Sequence, residues 1–260
     1  MPFKPSGGLI MTTFGLEFEV AGISTSAASS ALNRGGIRCI EPSRQHQTHE
    51  DWSSVYDGSV RGAEVVSPIL DEVRLNEAST VARLLLGAGG KVDRTTGYHV
   101  HIGAQGLSHD NIAQFYINWN LLHDAIGVLV APSRLNNNYC KAVSREHAET
   151  NAERIRNGNI SDFRGDRYQS FNLESFQRHG TLEIRLHQGT LNGAKAVAWA
   201  KFIDAFKQLS ETKVFGDIAD LGIGTNLQRC NNLLSVLVIQ SNLDLKTAEY
   251  LKDRAASLNG

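Results

Sequence analysis

The 260-residue chain is 41% hydrophobic and 20% charged, the make-up of a folded protein that buries a sizeable core, which excludes disorder and fibrous repeats. Lys and Arg number 26 against 27 Asp and Glu, a formal net charge of −1, so no basic field draws the chain to nucleic acid or anionic lipid. No apolar run approaches the roughly 20 residues of a membrane span. No secretory signal pattern opens the sequence, and Cys39, Cys140 and Cys230 form neither a disulfide framework nor a zinc cluster, so a reducing, cytoplasmic setting is expected.

Residues 1–11, with two prolines and two glycines, read as a loose leader, and residues 12–260 as a single domain. A strand is predicted over Thr12–Val20, a helix over Ser26–Asn33 and a short strand over Ile37–Glu41. A polar loop carrying His46 and His49 leads to a strand at Trp52–Tyr56, a turn at Asp57-Gly58-Ser59 and a strand at Gly62–Ser67 that Pro68 ends. Asp71 caps a helix running to Leu86, and Gly87, Gly89 and Gly90 stop it before a strand at Tyr98–Gly103.

Ile112, Phe115, Trp119, Leu122, Ile126 and Leu129 recur at three- and four-residue spacing and predict one long helix over Ser108–Val130, closed by Pro132. A charged helix follows at Ser144–Arg156, then a polar loop over 157–165. Strands are predicted at Tyr168–Phe176 and Thr181–Gln188, joined by a turn at Arg178-His179-Gly180. Three helices, Asn192–Ser210, Asn226–Gln240 and Leu243–Leu258, make a helical C-terminal part over about 192–260. The fold class is α+β, with helices on one face of a mainly antiparallel sheet.

Side chains alternate faces along a strand, so Phe14, Leu16, Phe18 and Val20 share one side while Gly15, Glu17 and Glu19 share the other. Two carboxylates about 7 Å apart on one face repel unless solvent or a cation compensates them. By the same arithmetic His99 and His101 oppose Tyr98, Val100 and Ile102, and Thr181, Glu183, Arg185 and His187 oppose Leu182, Ile184 and Leu186. An antiparallel sheet normally wets one face, and that alone explains any single strand. Three strands that all choose Glu or His over Thr, Lys or Ser instead point to a shared site for a hard cation, Mg²⁺ or Mn²⁺.

Glu64, in Gly62-Ala63-Glu64-Val65-Val66-Ser67-Pro68, adds a third glutamate in strand-like surroundings, though alone it reads equally as an ion-paired surface residue. Asp57 reads first as a turn former, and Arg167 as a solvated group or a fork for phosphate or carboxylate. No Gly-rich phosphate loop or nucleophile elbow is present. The cysteines read as buried and inert, with Cys140 mildly activated at most by Lys141; His123 reads as a packing residue, and Trp199 and Phe206 as core.

In order, Phe14-Gly15-Leu16-Glu17-Phe18-Glu19, Asp57-Gly58-Ser59, Gly62 to Pro68, Gly97-Tyr98-His99-Val100-His101, Arg167-Tyr168-x-Ser170-x-Asn172 and Thr181-Leu182-Glu183-Ile184-Arg185 resemble the putative amidoligase family. That family belongs to the glutamine synthetase and glutamate–cysteine ligase superfamily of carboxylate–amine ligases. The resemblance runs from Phe14 to about Asn192. It implies a glutamine-synthetase-like curved, mainly antiparallel sheet with helices on its outer face, forming a nucleotide channel.

It further implies an ATP- and Mg²⁺-dependent ligase that forms an amide through an acyl phosphate. Glu17, Glu19, Glu64, His99 and Glu183 would be the metal ligands, and Arg185 would face the transferring phosphoryl group. Arg167, His101 and Ser170 would lie on the nucleotide, and Asp57 or Glu64 would take the proton from the amine. The substrates would be a carboxylate and an amine, with an amino acid, a peptide or a protein tail all compatible. Competing readings are a guanidino-kinase-like phosphotransferase of the same fold, a non-catalytic metal- or nucleotide-binding protein, and a cupin-type metal hydrolase or oxygenase. An amide product separates ligation from the first, the retained glutamates, both histidines and Arg185 argue against the second, and iron on purification would favour the last.

Overall fold

The first strand supplies the axis of the molecule. In the computed structural model, which describes residues 11–41, 49–160, 163 and 166–260, the strands are β1 (Phe14–Ala21), β2 (Cys39–Ile40), β3 (Trp52–Val55), β4 (Gly62–Val66), β5 (Tyr98–Gly103), β6 (Phe171–Asn172) and β7 (Thr181–Ile184). They form one sheet in the order β2-β3-β4-β1-β5-β7-β6, antiparallel at every step except β2–β3. The expected leader before residue 11, His46 and part of the 157–165 loop lie outside the described residues.

Alternation along the strands sorts the sheet into two faces. Phe14, Leu16, Phe18 and Val20 of β1 are buried with Ala63 and Val65 of β4, Tyr98, Val100 and Ile102 of β5, and Leu182 and Ile184 of β7. Register carries the same parity across neighbours, Phe18 standing opposite Val65 and Tyr98, so the apolar side is continuous.

Ten α-helices are present among the described residues: α1 (Thr25–Arg34), α2 (Glu77–Gly87), α3 (His109–Leu121), α4 (His123–Gly127), α5 (Pro132–Leu135), α6 (Arg145–Arg156), α7 (Glu174–His179), α8 (Gly193–Thr212), α9 (Asn226–Gln240) and α10 (Leu245–Asn259). On the apolar side, Trp52 of β3 donates its indole N–H to Glu77 of α2 at 2.9 Å, and Tyr98 donates its hydroxyl to the Ala196 carbonyl of α8 at 3.2 Å. Phe115 and Trp119 of α3 meet Phe171 of β6 edge to face, and Phe206 of α8 completes that aromatic cluster. α6 packs on α3, and α9 and α10 pack with α8. No described helix is long and apolar enough to cross a membrane.

Helix starts follow their caps. Ser24, Ser108, Ser144, Asn192, Thr225 and Asp244 each accept a first-turn amide, and Ser108 and Thr225 complete capping boxes with Asn111 and Gln228.

Three elements depart from expectation. The long helix predicted over Ser108–Val130 breaks at Leu122, and His123 opens α4; Leu122, Ile126 and Leu129 stay buried through the break, so the apolar spacing is the same with or without it. Pro132 starts α5 as its first residue, where its missing N–H costs nothing. The strand predicted over Tyr168–Phe176 is regular only at Phe171–Asn172: Asn172 Oδ1 accepts the Glu174 amide at 2.9 Å and turns the chain into α7. Gly180 ends α7 at φ +65°, a left-handed conformation that favours glycine.

β7 also stops at Ile184, four residues earlier than predicted, and His187 is the consequence. It does not lie on the polar face with Glu183 and Arg185 but packs against Tyr98 and Trp199, with ring centroids 5.8 and 5.1 Å away. Its burial there pushes the imidazole pKa well down, favouring the neutral form. The cysteines are free and buried; burial pushes Cys39 up to about 11 and Cys230 up to about 12, and raises Cys140 in spite of nearby Arg134 and Arg185. None is an activated thiol.

Asp244 provides a stability test. Partial burial alone would raise its pKa, but Lys201 at 2.9 Å and the hydroxyl and amide of Thr247 pull it down to about 2. A depressed carboxylate stabilises the fold above its unfolded pKa of about 3.9 and loses that contribution as pH falls through the folded value. Asp244→Ala is therefore expected to cost about 1 kcal/mol at pH 7, and the gap between the two thermal melting curves should close between about pH 4 and 2.

Candidate functional site

The second face of the sheet carries the polar residues that alternation predicted, and register brings them together. Glu19 stands opposite Glu64, Glu17 opposite His99, and His101 opposite Glu183, which in turn faces Asn172. The result is a band of carboxylates and imidazoles across β4, β1, β5, β7 and β6.

Glu17 is the hub. Its Oε2 lies 2.9 Å from His99 Nδ1 and its Oε1 lies 3.1 Å from His101 Nε2. Burial works against the Glu17 carboxylate, yet His101 and His99 hold its pKa well below the ordinary range. Burial likewise disfavours the charged form of His101, and the facing Glu17 and Glu183 outweigh it and raise its pKa. Thr181 Oγ1 meets the other nitrogen of His101 at 2.9 Å.

Glu183 receives the Asn172 amide and is paired with the Arg185 guanidinium two residues along. Burial opposes its ionisation, but Arg185 and then His101 hold it in the carboxylate form. Arg185 also donates Nε to the Tyr139 carbonyl at 3.3 Å. Behind it, the buried Arg134 donates Nε to the Leu186 carbonyl at 3.2 Å and Nη2 to the Arg185 carbonyl at 2.8 Å, so the backbone that carries Arg185 is held from within.

Glu19 accepts the Gly97 amide and lies 3.7 Å from His99 Nε2. A Cβ at Gly97 would sit 2.7 Å from His99 Nε2 and 3.3 Å from Glu19 Oε2, so only glycine lets the chain pass this close to the cluster. Glu64, almost wholly buried, has no hydrogen-bond donor among the described residues; burial first, then Glu17, Asp57 and Glu19, push its pKa well up. Asp57 keeps its turn role, accepting the Ser59 amide at 2.6 Å, and also reaches the cluster.

Three overlapping groups can each bring ligand atoms within 4.8 Å of one another: Glu17, His101 and Glu183; Glu17, Glu64 and His99; Glu19, Asp57 and Glu64. These sets are oxygen-rich with at most one imidazole, the chemistry of Mg²⁺ or Mn²⁺ rather than tetrahedral zinc. Five carboxylates against one directly paired arginine is an excess of negative charge that divalent cations fit. Both imidazoles bear on Glu17, so His101 belongs with the potential ligands as much as His99 does.

Two cavities meet at the cluster. A charged one of about 90 Å³ is lined by Arg167, Asn172, Arg178 and Arg185 together with the carboxylates. A larger one, about 230 Å³, is walled by Val55, Val66, Pro68 and Ile69 and reached by His49 and Ser53. Glu17, Glu64, His101 and His179 border both.

Of the residues expected at the site, Glu17, Asp57, Glu64, His99, His101, Arg167, Glu183 and Arg185 line the charged cavity, and Glu19 joins its carboxylates. Ser170 is placed elsewhere: fully buried, its hydroxyl accepts the Trp119 indole N–H at 3.1 Å on the aromatic core. It holds the strand rather than lining the cavity. Asn172, Arg178, His179 and Arg134 were not assigned roles from sequence. Asn172 stands at the end of the Arg167-Tyr168-x-Ser170-x-Asn172 run, Arg178 and His179 read as a turn, and nothing local marks Arg134.

A family model described as putative amidoligase enzyme matches residues 11–207, which covers the sheet, the whole band and most of α8. No curated protein matches the chain.

Glu64 tests the charge balance. A carboxyl whose folded pKa is raised destabilises the fold as pH rises above its ordinary value, here 4.5. With EDTA present at pH 7, Glu64→Gln should raise the melting temperature, by about 2–4 °C for each kcal/mol relieved. The gain should shrink as pH falls toward 4.5, and added Mg²⁺ should stabilise the wild type more than the variant.

Proposed function

As the chain belongs to the putative amidoligase enzyme family, we propose that it joins a carboxylate to an amine at the expense of ATP, with Mg²⁺ or Mn²⁺ held by Glu17, Glu19, Glu64, Glu183 and the two imidazoles. The observation that carries this reading is the run of three overlapping carboxylate-rich groups ending at Arg185, with an apolar cavity adjoining it. A nucleoside triphosphate has the matching form, a flat apolar base at one end and a polyanion at the other.

A carboxylate is a poor electrophile, so an oxygen of the acceptor carboxylate attacks the γ-phosphorus and ADP leaves, giving an acyl phosphate. The amine then attacks the carbonyl carbon and inorganic phosphate departs. Divalent cations supply charge neutralisation along the phosphates. Arg185, fixed by Glu183, Tyr139 and the Arg134 clamp, is positioned to share the negative charge of the phosphoryl group in flight, and Arg167 at the cavity edge adds a second positive group. Only the neutral amine is nucleophilic, and Asp57 or Glu64 takes its proton.

The test is calorimetric titration of a non-hydrolysable ATP analogue with Mg²⁺ and then with EDTA. Wild-type protein should bind only with the metal, and Glu17→Ala and Glu183→Ala should each weaken binding by at least about 100-fold. Metal-independent binding, or variants that bind as the wild type does, would overturn the assignment. An amide product in a screen of carboxylate and amine pairs separates ligation from simple phosphoryl transfer.

A further inference from the structure

Three arginines line the charged cavity, and the chemistry proposed above gives one of them, Arg178, nothing to do. Arg185 is committed to Glu183 and to the Tyr139 carbonyl. Arg178, in the last turn of α7, is half exposed and donates Nη2 to Glu174, one turn back on the same helix. A guanidinium presents five N–H donors in a planar fork, so that single pairing leaves most of them for a ligand. α7 packs against the short helical turn Asp166–Tyr168, which carries Arg167. Arg167 is exposed, lies over the Tyr168 ring at 5.2 Å and has no carboxylate partner among the described residues.

Neighbouring polar groups on this rim are already spent. The Ser175 hydroxyl donates to the Thr181 carbonyl at 2.7 Å, while the Asn172 side chain donates to Glu183 and accepts the Glu174 amide. What the rim offers a ligand is therefore two positive forks. Its place relative to the larger cavity gives them a task. Glu17, Glu64, His101 and His179 border both cavities, whereas Arg167 and Arg178 border the charged one alone. With the base in the larger cavity and the phosphates on the carboxylate cluster, the γ-phosphoryl group is the end remote from the base. The attacking oxygen must arrive in line, opposite the departing ADP, and that is the side of Arg167 and Arg178.

Resting on the ligase reading, we infer that Arg178, with Arg167 beside it, binds a second carboxylate of the acceptor, so that the protein activates one end of a dicarboxylic acid while holding the other. The reacting carboxylate needs a free oxygen to attack phosphorus, and a fork that grips both of its oxygens would oppose that attack. A second, unreacting carboxylate on the same molecule is the group that a planar fork pairs with best. An acceptor that lacks it leaves the two guanidinium groups without a counter-charge.

Hydroxylamine makes the test independent of the natural amine. The acceptor oxygen attacks the γ-phosphorus and ADP leaves; the hydroxylamine nitrogen then attacks the acyl carbon, loses a proton and expels inorganic phosphate, giving a hydroxamate. Succinate, glutarate and adipate are compared with butanoate, pentanoate and hexanoate, in the presence of ATP and Mg²⁺, for wild type, Arg178→Ala and Arg178→Lys. At least one dicarboxylate should exceed its monocarboxylate partner by about tenfold or more in kcat/KM. Arg178→Ala should remove most of that preference through KM, Arg178→Lys should restore part of it, and both should bind a non-hydrolysable ATP analogue as the wild type does. Melting curves confirm that the variants fold. An unchanged preference in Arg178→Ala, weakened binding of the ATP analogue, or a wild type that binds the analogue yet turns over no dicarboxylate would each overturn the inference while leaving nucleotide binding intact. Wild-type protein that binds no nucleotide would remove the ligase reading itself, and the acceptor site with it.

Discussion

Carboxylates crowded onto one half-buried face of a sheet repel one another by several kcal/mol per close pair, about 4 kcal/mol at 4 Å for an effective dielectric of 20. Glu17, Glu19, Glu64 and Glu183 accept that penalty because β1 is central and its register with β4 and β5 allows no other placement of its apolar side. Moving β1 by one residue would turn Phe14, Leu16 and Phe18 out of the core. The hydrophobic face therefore enforces the charged one. Compensation is graded: Glu17 has two imidazoles, Glu183 an arginine and an amide, Glu19 a backbone N–H, and Glu64 none of these. Glu64 is thus the carboxyl of the band with no directly paired donor among the described residues, and only the more distant Arg185 charge acts in its favour.

Rigidity behind the site comes from residues that do no chemistry. Lys141 donates its amide to the Tyr168 carbonyl, Ser170 donates its amide to the Lys141 carbonyl, and Arg185 donates its amide to the Ser170 carbonyl, so three distant segments interlock beneath Arg185. Ser170 anchors that weave to Trp119, and Arg134 closes it through two carbonyls. An arginine buried without a carboxylate is expensive, and its burial pushes the guanidinium pKa down. Its two carbonyl bonds explain why it is retained where the chain must keep Arg185 at a set position.

Much of this was legible because strands reveal their faces by parity. The Glu-x-Glu of β1, the His-x-His of β5 and the Glu-x-Arg of β7 need only alternation to be assigned to one side, and the sheet does place them together. Parity fails where the ladder ends. Alternation puts His187 on the polar face only if the strand runs on past Ile184; the ladder stops there, and the chain beyond it, bonded to Arg134, turns the ring into the core. Helical periodicity has a similar blind spot at Leu122, since a break that keeps the buried stripe leaves the spacing unaltered. Arg134 and Ser170 act through contacts with residues far along the chain, and no local pattern records such partners.

The central position of β1 also bears on how the molecule comes into being. Among the described strands β1 is made first, and its two neighbours follow in turn, β4 at Gly62–Val66 on one edge and β5 at Tyr98–Gly103 on the other, so each edge waits for its partner. Closing such long loops is slow, and a strand with two exposed edges in the meantime is an invitation to other chains. Glu17 and Glu19 on adjacent copies of β1 would face like charge, which opposes that encounter. The carboxylates that later gather the site thus guard the nascent strand before the site exists.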